Sequence, residues 1–390
     1  MRVLNSLSYY RPHYSGLTVY TERLARSLAA RGHQVTILTS RYDRGLLAVE
    51  QVDGVQVRRV NVAFRVSKGP VMPAFPYWAV RLIPLHDVIH LHVPQLDAAF
   101  LAMLGKVFGK PVVLTYHCDL RLPPSPINRL ANKVSHLANH LSASASDVVI
   151  TNTQDYAESS NFLGRYLNKL VVIPPPIEVA PVEAPIVDSL RLKWKIHEGQ
   201  QVIGMAARLA TEKGAEVLAR ALPRILEVFP NARVLYAGQH EDVLGEEEYA
   251  QRLQPLLEEL GDHWMFLGVL PQEEMSAFFS LCDVSVLPSL NSTESFGMVQ
   301  VESMFCGTPV VASDLPGMRQ PALTTGMGLV FPPGNSQALA EAIIRVLNHP
   351  ESYHRGTGEL EALYGSDRIA ERYEELFQRL LLQGERHQEP

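Results

Sequence analysis

The sequence is poor in cysteine, and no long apolar run interrupts its 390 residues. Its three cysteines, Cys118, Cys282 and Cys306, lie far apart, so neither a disulfide framework nor a zinc-type spacing is predicted. No segment has the length and hydrophobicity of a membrane-spanning helix. The first residues are predicted to form a strand and lack the apolar core of a secretory signal. We therefore expect a cytoplasmic protein in a reducing compartment.

The motifs of several cofactor enzymes are also missing. The turn after the first predicted strand, Pro12-His13-Tyr14-Ser15-Gly16, lacks the three glycines of the dinucleotide fingerprint, which argues against a nicotinamide or flavin site. His90 and His92 could place two imidazoles on one face of a strand, but no third ligand stands at a suitable spacing. We therefore prefer a structural role for this pair, and we predict neither a metal, nor a cofactor, nor a nucleic-acid partner.

Short apolar runs alternate with helical patterns along most of the chain, which predicts an α/β fold with parallel sheets. The length suggests two domains. Ile173-Pro-Pro-Pro-Ile177 and the prolines that follow predict a stiff linker. We expect two Rossmann-like, doubly wound domains at 1–175 and 189–366, a linker at 176–188, and a helix at about 367–385 that packs back onto the first domain. Ligands of such domains bind beyond the carboxyl ends of the strands, here in a cleft between the domains.

The two halves of the chain differ in charge. Residues 1–180 carry a net charge of +8, and the remainder carries −14. Basic residues are interleaved with aromatic ones between positions 58 and 81; they are Arg58, Arg59, Arg65, Lys68 and Arg81 beside Phe64, Phe75, Tyr77 and Trp78. This pattern suits a bilayer surface or a lipid acceptor. It suits equally an ordinary connection whose aromatic residues lie in the core.

The most informative segment is Glu294-Ser-Phe-Gly-Met-Val-Gln-Val-Glu302, which follows a predicted strand. If the eight residues from Glu294 to Glu302 were helical, they would rise roughly 12 Å, about the distance from a sugar ring across a diphosphate to a ribose. A helix N-terminus between the carboxylates would favour phosphate. The segment could therefore contact all three parts of a nucleotide sugar, although two glutamates at this spacing also occur by chance.

Three further places carry candidate binding residues. Arg208 and Lys213 follow the first strand of the second domain, where two cations and a helix N-terminus make a diphosphate clamp that needs no metal. Gly16 opens a helix and allows close approach of an anion. His117 ends a strand beside Asp119; it could bind a sugar hydroxyl, align Asp119, or be an ordinary buried histidine.

Taken in order, these pieces resemble the family 4 glycosyltransferases of the two-domain architecture called GT-B. The resemblance covers nearly the whole chain. Each matching segment alone is weak evidence for the family, but the ordered set is specific. The segments are Pro12–Gly16, Gly32–Thr36, His117, Arg208 with Lys213-Gly214, Glu294–Met298, Glu302, and Gly307–Ala312. One departure is Ser15-Gly16, where the family usually has Gly-Gly, and this leaves the path of the first loop open.

The resemblance implies a role for each matching residue. Glu294 would contact the hydroxyls of the donor sugar, Glu302 the ribose, and His117 the neighbourhood of the sugar. The diphosphate would be held by Arg208, Lys213, Gly16 and the backbone amides around Ser295, Phe296, Gly297 and Met298. A retaining, metal-independent hexosyl transfer from a UDP- or GDP-sugar to a lipid, saccharide or small-molecule hydroxyl is then expected, as in polysaccharide or glycolipid biosynthesis. The protein would be cytoplasmic, with peripheral contact to the inner face of the membrane as an open alternative.

Two other functions stay open on the sequence. A nucleotide-sugar epimerase of the same architecture would convert the donor with no acceptor present. A non-catalytic subunit would bind a sugar nucleotide without turnover, although the joint presence of Arg208, Lys213, Glu294 and Glu302 argues against it.

Overall fold

The chain divides into two units, which we describe separately. The structure, a computed structural model, describes residues 1–66, 69–119, 126–243 and 245–386. The first unit comprises 1–176 together with 363–390, and the second comprises 177–362. Each is built on a parallel sheet with helices between the strands.

The sheet of the first unit contains eight of the described strands in the order β10-β9-β8-β7-β1-β2-β4-β3. All its pairs are parallel except that of β3 with β4, and β5 and β6 form a separate antiparallel hairpin. The strands of this unit are β1 (Arg2–Ser6), β2 (Gln34–Arg41), β3 (Val49–Val52), β4 (Val55–Asn61), β5 (Phe64–Val66), β6 (Gly69–Val71), β7 (Val88–Val93), β8 (Val112–Tyr116), β9 (Val148–Thr151) and β10 (Leu170–Val172). Every residue of β7, β8 and β9 is buried, as in a sheet covered on both faces.

The helices of the first unit follow its strands. They are α1 (Gly16–Ala30), α2 (Phe75–Leu82), α3 (Ala98–Val107), α4 (Pro126–Ala145) and α5 (Gln154–Ser159). α2 packs against α3, and α3 packs against α4. Together they form one layer of helices, whose outward residues are described below.

The second unit has a sheet with six described strands in the order β13-β12-β11-β14-β15-β16, all parallel. They are β11 (Val202–Ala206), β12 (Arg233–Ala237), β13 (Trp264–Gly268), β14 (Val284–Leu287), β15 (Val310–Ser313) and β16 (Gly328–Phe331). The helices are α6 (Ala184–Lys193), α7 (Ala215–Leu226), α8 (Glu247–Leu260), α9 (Gln272–Leu281), α10 (Met298–Phe305), α11 (Gln320–Thr325), α12 (Ser336–Asn348) and α13 (Thr357–Tyr364). Apolar side chains of α7 and α12 and of α6 and α9 form separate buried clusters with the strands.

The last helix, α14 (Ser366–Arg386), belongs to the first unit and packs against α1. Arg31, at the end of α1, donates to Glu374 at 2.8 Å and to Asp367 at 2.9 Å. The hydroxyls of Tyr20 and Tyr373 lie 2.6 Å apart in the buried interface. The helix predicted at about 367–385 therefore contacts α1 through buried aromatic residues and an outer set of ion pairs.

The predicted linker is shorter than the proline pattern suggested. α6 begins at Ala184, so residues 184–188 are helical rather than extended. Pro185 lies in the first turn of this helix, where a proline needs no backbone N–H and its fixed φ angle suits the helix. The proline was thus interpreted as part of a linker although it starts a helix.

Candidate donor site and the histidine cluster

The candidate residues of the second unit lie where its strand order reverses. From β11 the chain continues to β12 on one side, whereas β14, the neighbour of β11 on the other side, continues to β15. The helices that follow β11 and β14 thus leave in opposite directions, and the loops at the carboxyl ends of these strands border a crevice. The first loop contains Arg208 and Lys213, and the second contains Glu294. This topology explains why residues about 80 positions apart meet.

Close backbone packing fixes the two loops together at Gly214. Its φ is +71°, and a Cβ at this position would lie 2.0 Å from the carbonyl oxygen of Pro288, so only glycine fits. The N–H of Leu290 donates to the carbonyl of Glu212 at 2.9 Å. The loop after β14 is therefore held against the start of α7.

Lys213 and Glu294 form an ion pair at this junction. The ammonium of Lys213 contacts Oε2 of Glu294, and both side chains are about three-quarters buried. Oε1 of the same carboxylate accepts the N–H of Gly297 at 3.0 Å. Glu294 therefore already binds one of the amides expected to hold a diphosphate, and it orients the lysine as well.

Arg208 extends from the loop after β11 and is more exposed. Its guanidinium donates to Glu212 at 2.9 Å, with 48% of the arginine side chain accessible. The backbone carbonyl of Arg208 accepts a hydrogen bond from the hydroxyl of buried Tyr236 at 3.0 Å, which holds the backbone in place beneath the exposed side chain. An exposed pair of this kind contributes at most about 1 kcal/mol to stability, so Arg208 adds little to the stability of the fold.

The structure changes the spacing argument for the two glutamates. α10 begins only at Met298, so Glu294 lies in the preceding loop and the rise of a helix does not measure its separation from Glu302. Glu302 is on α10 and is half-buried. Gly297 caps this helix with a φ of +75°. A side chain there would collide with Leu287, because a Cβ would lie 2.7 Å from its Cδ2.

Gln300 supports this turn and was missed by the sequence reasoning. Its buried amide donates to the carbonyls of Phe296 at 3.1 Å and of Met318 at 2.9 Å. It therefore fixes the Phe296–Gly297 step from beneath. Ser295 and Phe296 are buried beside it. A glutamine on the apolar face of a predicted helix was the signal that could have identified it.

In the first unit, Gly16 is the first residue of α1. Ser15 caps this helix, and its hydroxyl accepts the N–H of Thr18 at 3.2 Å. The hydroxyl of Thr18 in turn donates to the carbonyl of Tyr9 at 3.2 Å, which closes the loop on itself. The Ser15-Gly16 pair, at which the similar family usually has Gly-Gly, thus forms an ordinary N-cap, and both residues are exposed.

His117 follows β8 directly and is buried, while Asp119 has partners of its own. The carboxylate of Asp119 accepts the hydroxyls of Tyr116 at 2.7 Å and of Ser160 at 3.2 Å. Its N–H donates to the hydroxyl of Tyr156 at 2.8 Å. Tyrosine and serine hydroxyls therefore align Asp119. The predicted alternative, in which His117 aligns it, is not what the structure shows.

Three buried histidines meet beneath the end of this sheet. His90 and His92 lie on one face of β7, with ring centroids 4.2 Å apart, and Nδ1 of His92 is 3.0 Å from Nε2 of His117. Burial lowers the pKa of His90 and of His117 to about 3 and lowers the pKa of His92 well below its ordinary value. All three imidazoles are therefore neutral at physiological pH.

Hydroxyl groups from β8, α1 and α14 surround the same imidazoles. Nε2 of His90 lies 2.8 Å from the hydroxyl of Thr115, which is 3.1 Å from the hydroxyl of Tyr373. Within the described ranges, no group of three histidine, cysteine or acidic side chains has an arrangement that could hold a metal ion. These contacts fit the structural role preferred for His90 and His92.

The basic and aromatic patch predicted between positions 58 and 81 is partly buried. Arg59 is a core residue paired with Glu50, and Phe75 is fully buried, so neither belongs to a surface. The guanidinium of Arg58 lies 4.0 Å above the ring of Trp78. Lys68 lies outside the described residues. Those of the patch that remain exposed are Phe64, Arg65, Tyr77 and Arg81.

Comparison with solved structures defines the fold. The chain aligns over 98% of its length with 99% of sucrose-phosphate synthase from Thermosynechococcus elongatus, with a TM-score of 0.78 and 22% identity. It aligns over 97% of its length with 100% of Anabaena HepE in complex with UDP, again with a TM-score of 0.78 and 21% identity. The chain thus has the GT-B fold.

Comparison with known sequences defines the family. Residues 15–176 match the "Glycosyl transferase 4-like domain", and residues 187–357 match "Glycosyl transferases group 1". The chain is 31% identical to a phosphatidyl-myo-inositol mannosyltransferase of Mycobacterium leprae, over 86% of this chain and 84% of the relative. It is 28% identical to a D-inositol 3-phosphate glycosyltransferase of Acidothermus cellulolyticus, over 85% of this chain and 78% of the relative. The chain belongs to the family 4 glycosyltransferases and is an enzyme of that class.

Proposed function

We propose that this glycosyltransferase moves a hexosyl group from a UDP- or GDP-sugar to an acceptor hydroxyl, with retention of configuration and without a metal. The observation that supports the proposal best is the junction of Lys213, Glu294 and Gly297 at the point where the strand order of the second unit reverses. At this junction lie a carboxylate that can bind the sugar, a cation that can bind the diphosphate, and a helix N-terminus. Solved structures of HepE hold UDP or UDP-glucose, which supports the donor class.

In the reaction that we propose, the bond between the anomeric carbon and the phosphate oxygen breaks, and its electrons remain on the nucleoside diphosphate. Arg208, Lys213 and the start of α10 stabilise that negative charge. An ammonium has three N–H groups, so Lys213 can keep its contact with Glu294 while it donates to phosphate. Glu294 acts by orienting the lysine and the sugar.

The acceptor hydroxyl attacks the same face of an oxocarbenium-like sugar and transfers its proton to a departing phosphate oxygen. The products are the glycoside and a protonated nucleoside diphosphate, so atoms and charges balance. Relatives named for inositol phosphate and for phosphatidyl-myo-inositol support a polar or lipid-linked hydroxyl acceptor.

A thermal-shift panel of UDP-glucose, UDP-N-acetylglucosamine, GDP-mannose and ADP-glucose tests the donor. At a hundredfold excess over its Kd, the cognate donor should stabilise the chain by about 2.7 kcal/mol and raise its melting temperature. Glu302→Gln should weaken that shift because the ribose loses a charged acceptor. Glu341→Gln, an exposed carboxylate on α12, is the matched control. If no sugar nucleotide raises the melting temperature, the donor proposal is wrong. Epimerisation of a sugar nucleotide in the absence of an acceptor would favour the epimerase instead.

We also propose that the first unit contacts an anionic bilayer through the layer formed by α2, α3 and α4. In α4, burial runs against the usual pattern of a helix in water. The polar residues Ser135 and Asn139 are buried, whereas the apolar residues Val134, Leu137 and Leu141 are exposed. The other exposed apolar side chains of the layer are Tyr77, Val80, Met103 and Val107. Cations lie among them at Arg81, Lys106, Arg129 and Lys133. This mixture suits anionic lipid headgroups above an acyl boundary. None of the described helices is long and apolar enough to cross a membrane.

Flotation with phosphatidylcholine vesicles, with and without phosphatidylglycerol, tests this surface. The protein should float with the anionic vesicles and should dissociate at high salt, since screening weakens the attraction. Leu137→Asp should abolish flotation, whereas Leu192→Asp, at a leucine of the second unit that is 79% exposed, should leave it unchanged. Equal flotation of both variants would contradict the assignment of this surface.

A further inference from the structure

Two arginines of the first unit lie on the rings of adjacent aromatic residues. The guanidinium carbon of Arg58, on β4, is 4.0 Å from the centroid of the Trp78 ring, and that of Arg81 is 4.9 Å from the centroid of the Tyr77 ring. Both rings belong to α2, and their centroids are 5.2 Å apart. Arg58, Tyr77, Trp78 and Arg81 therefore form one cluster, which we call the stacked-arginine patch.

The two guanidinium groups of this patch have no anionic partner among the residues that the structure describes. Over those residues, the side chains of Arg58 and Arg81 make neither an ion pair nor a hydrogen bond, and their polar contacts are those with the rings. The face of a ring attracts the positive charge of a guanidinium but leaves its N–H groups available to an anion. Both arginines can therefore still bind a phosphate.

The sheet itself offers Arg58 no carboxylate. Its neighbours across the sheet are Leu38 on β2 and Val49 on β3, and both are apolar. Opposite charges on neighbouring strands are the usual partners of a charged residue in a sheet, and Arg59, the next residue of β4, has such a partner in Glu50. Arg58 is nevertheless half-buried. A half-buried cation with apolar and aromatic neighbours is suited to an anion from outside the chain.

We infer that the stacked-arginine patch binds the phosphate-monoester headgroup of an anionic lipid, with Arg58 donating to the phosphate oxygens and Arg81 adding positive potential. The inference rests on the proposed contact of the first unit with a bilayer, to which it adds one specific headgroup. Two guanidinium groups without anions match the charge of a phosphate monoester, about −1.5 to −2 at pH 7, better than the single charge of a phosphodiester. The exposed side chains of Tyr77 and Val80 would lie at the acyl boundary beside it.

Flotation of the full chain with two sets of phosphatidylcholine vesicles tests the headgroup. One set contains phosphatidic acid, a monoester, and the other contains phosphatidylglycerol, a diester, in proportions that give the same zeta potential. The protein should bind the phosphatidic acid vesicles about tenfold more tightly, as expected for an additional charge-assisted hydrogen bond at equal surface potential. Equal affinity for both sets would overturn the inference and would leave the general attraction to anionic bilayers in place.

Substitutions at Arg58 separate the site from the charge of the surface. Lysine keeps the positive charge but lacks the planar fork, so Arg58→Lys should lose the tenfold preference while it binds phosphatidylglycerol vesicles as the wild type does. Arg58→Gln should lose the preference as well. Arg129→Gln, at an exposed arginine of α4, is the matched control, because it should weaken binding to both sets equally and keep the preference. A preference that survives in both Arg58 variants would contradict the site.

Trp78 reports whether the patch itself meets the bilayer. The other two tryptophans, Trp194 and Trp264, are buried in the second unit. Phosphatidic acid vesicles with brominated acyl chains should therefore quench the fluorescence of the wild type. They should not quench Trp78→Phe, which keeps an aromatic ring at this position. Vesicle-bound wild type with unchanged fluorescence would place the patch away from the bilayer and overturn the inference.

Glycerol 3-phosphate distinguishes the lipid from a soluble phosphate ester. It carries the same phosphate without acyl chains, so calorimetry should show binding about a hundredfold weaker than that of phosphatidic acid vesicles, since the apolar contacts are lost. Equal affinity would assign the patch to a soluble ligand and overturn the lipid. If the chain floats with no anionic vesicle, the proposed bilayer contact fails together with the inference. If it floats without a preference for the monoester, only the inference fails.

Discussion

Arg208→Ala should lower kcat/KM for sugar transfer by about 100- to 1,000-fold, the usual effect of removing one charged contact to a developing anion. The surroundings make a large loss reasonable. Glu212 and Glu294 each pair with one of the two cations assigned to the donor, Arg208 and Lys213. Without Arg208, the diphosphate would face these carboxylates with Lys213 alone. Steady-state kinetics with the donor selected by thermal shift gives the measurement.

Arg220→Ala is the matched control for this variant. Arg220 is an exposed arginine of α7 that binds Glu216 four residues away at 2.8 Å, as Arg208 binds Glu212. Arg220→Ala should retain wild-type kinetics. Both variants should have melting temperatures close to that of the wild type, because exposed ion pairs contribute little to stability. Arg208→Lys should fall between the two, since it keeps the charge and loses the planar fork. Near-wild-type turnover in Arg208→Ala would rule out the clamp.

Acid should destabilise the chain steeply because of its three buried histidines. Folding lowers their pKa values, to about 3 for His90 and His117, so the folded chain keeps them neutral while the unfolded chain binds protons below about pH 6.5. The stability they contribute is complete above pH 6.5 and is lost as the pH falls toward about 3. Each can contribute a slope of up to about 1.4 kcal/mol per pH unit in that window.

Guanidinium unfolding at pH 7, 6, 5 and 4 measures this slope. His90→Gln should flatten it, because the variant no longer takes up a proton at this position on unfolding. His349→Gln, at an exposed histidine, controls for the change of residue type. An equal slope in wild type and His90→Gln would show that this imidazole does not control the acid sensitivity.

The strands were predicted well because most are short apolar runs with polar boundaries. Runs of this kind form β8, β9, β14 and β15. The parallel arrangement followed from the alternation with helices. The order of the strands did not, since pairing depends on packing between distant segments. The place where the order of the second sheet reverses, beside the candidate donor residues, was therefore seen only in the structure.

The candidate site was predicted as a set of residue types, and its internal contacts were not. The amide of Gly297 was assigned to phosphate, yet Glu294 takes it, because loop conformation rather than sequence spacing decides which groups meet. Gln300 escaped notice because α10 carries other polar residues as well, and only the packing shows that Gln300 is buried. Arg59 was placed on the surface by its charge, although Glu50 on the neighbouring strand neutralises it.

The position of α14 affects the order in which the two units can finish folding during synthesis. The first unit needs the side chains of Tyr373 and Glu374 to complete the surroundings of Tyr20 and Arg31. Those residues are synthesised after the whole second unit. A nascent chain of 176 residues therefore carries a sheet and helices whose α1 face is uncovered, and the second unit can be finished first. The amino-terminal half is thus the later of the two to reach its final form, the reverse of the usual course of synthesis.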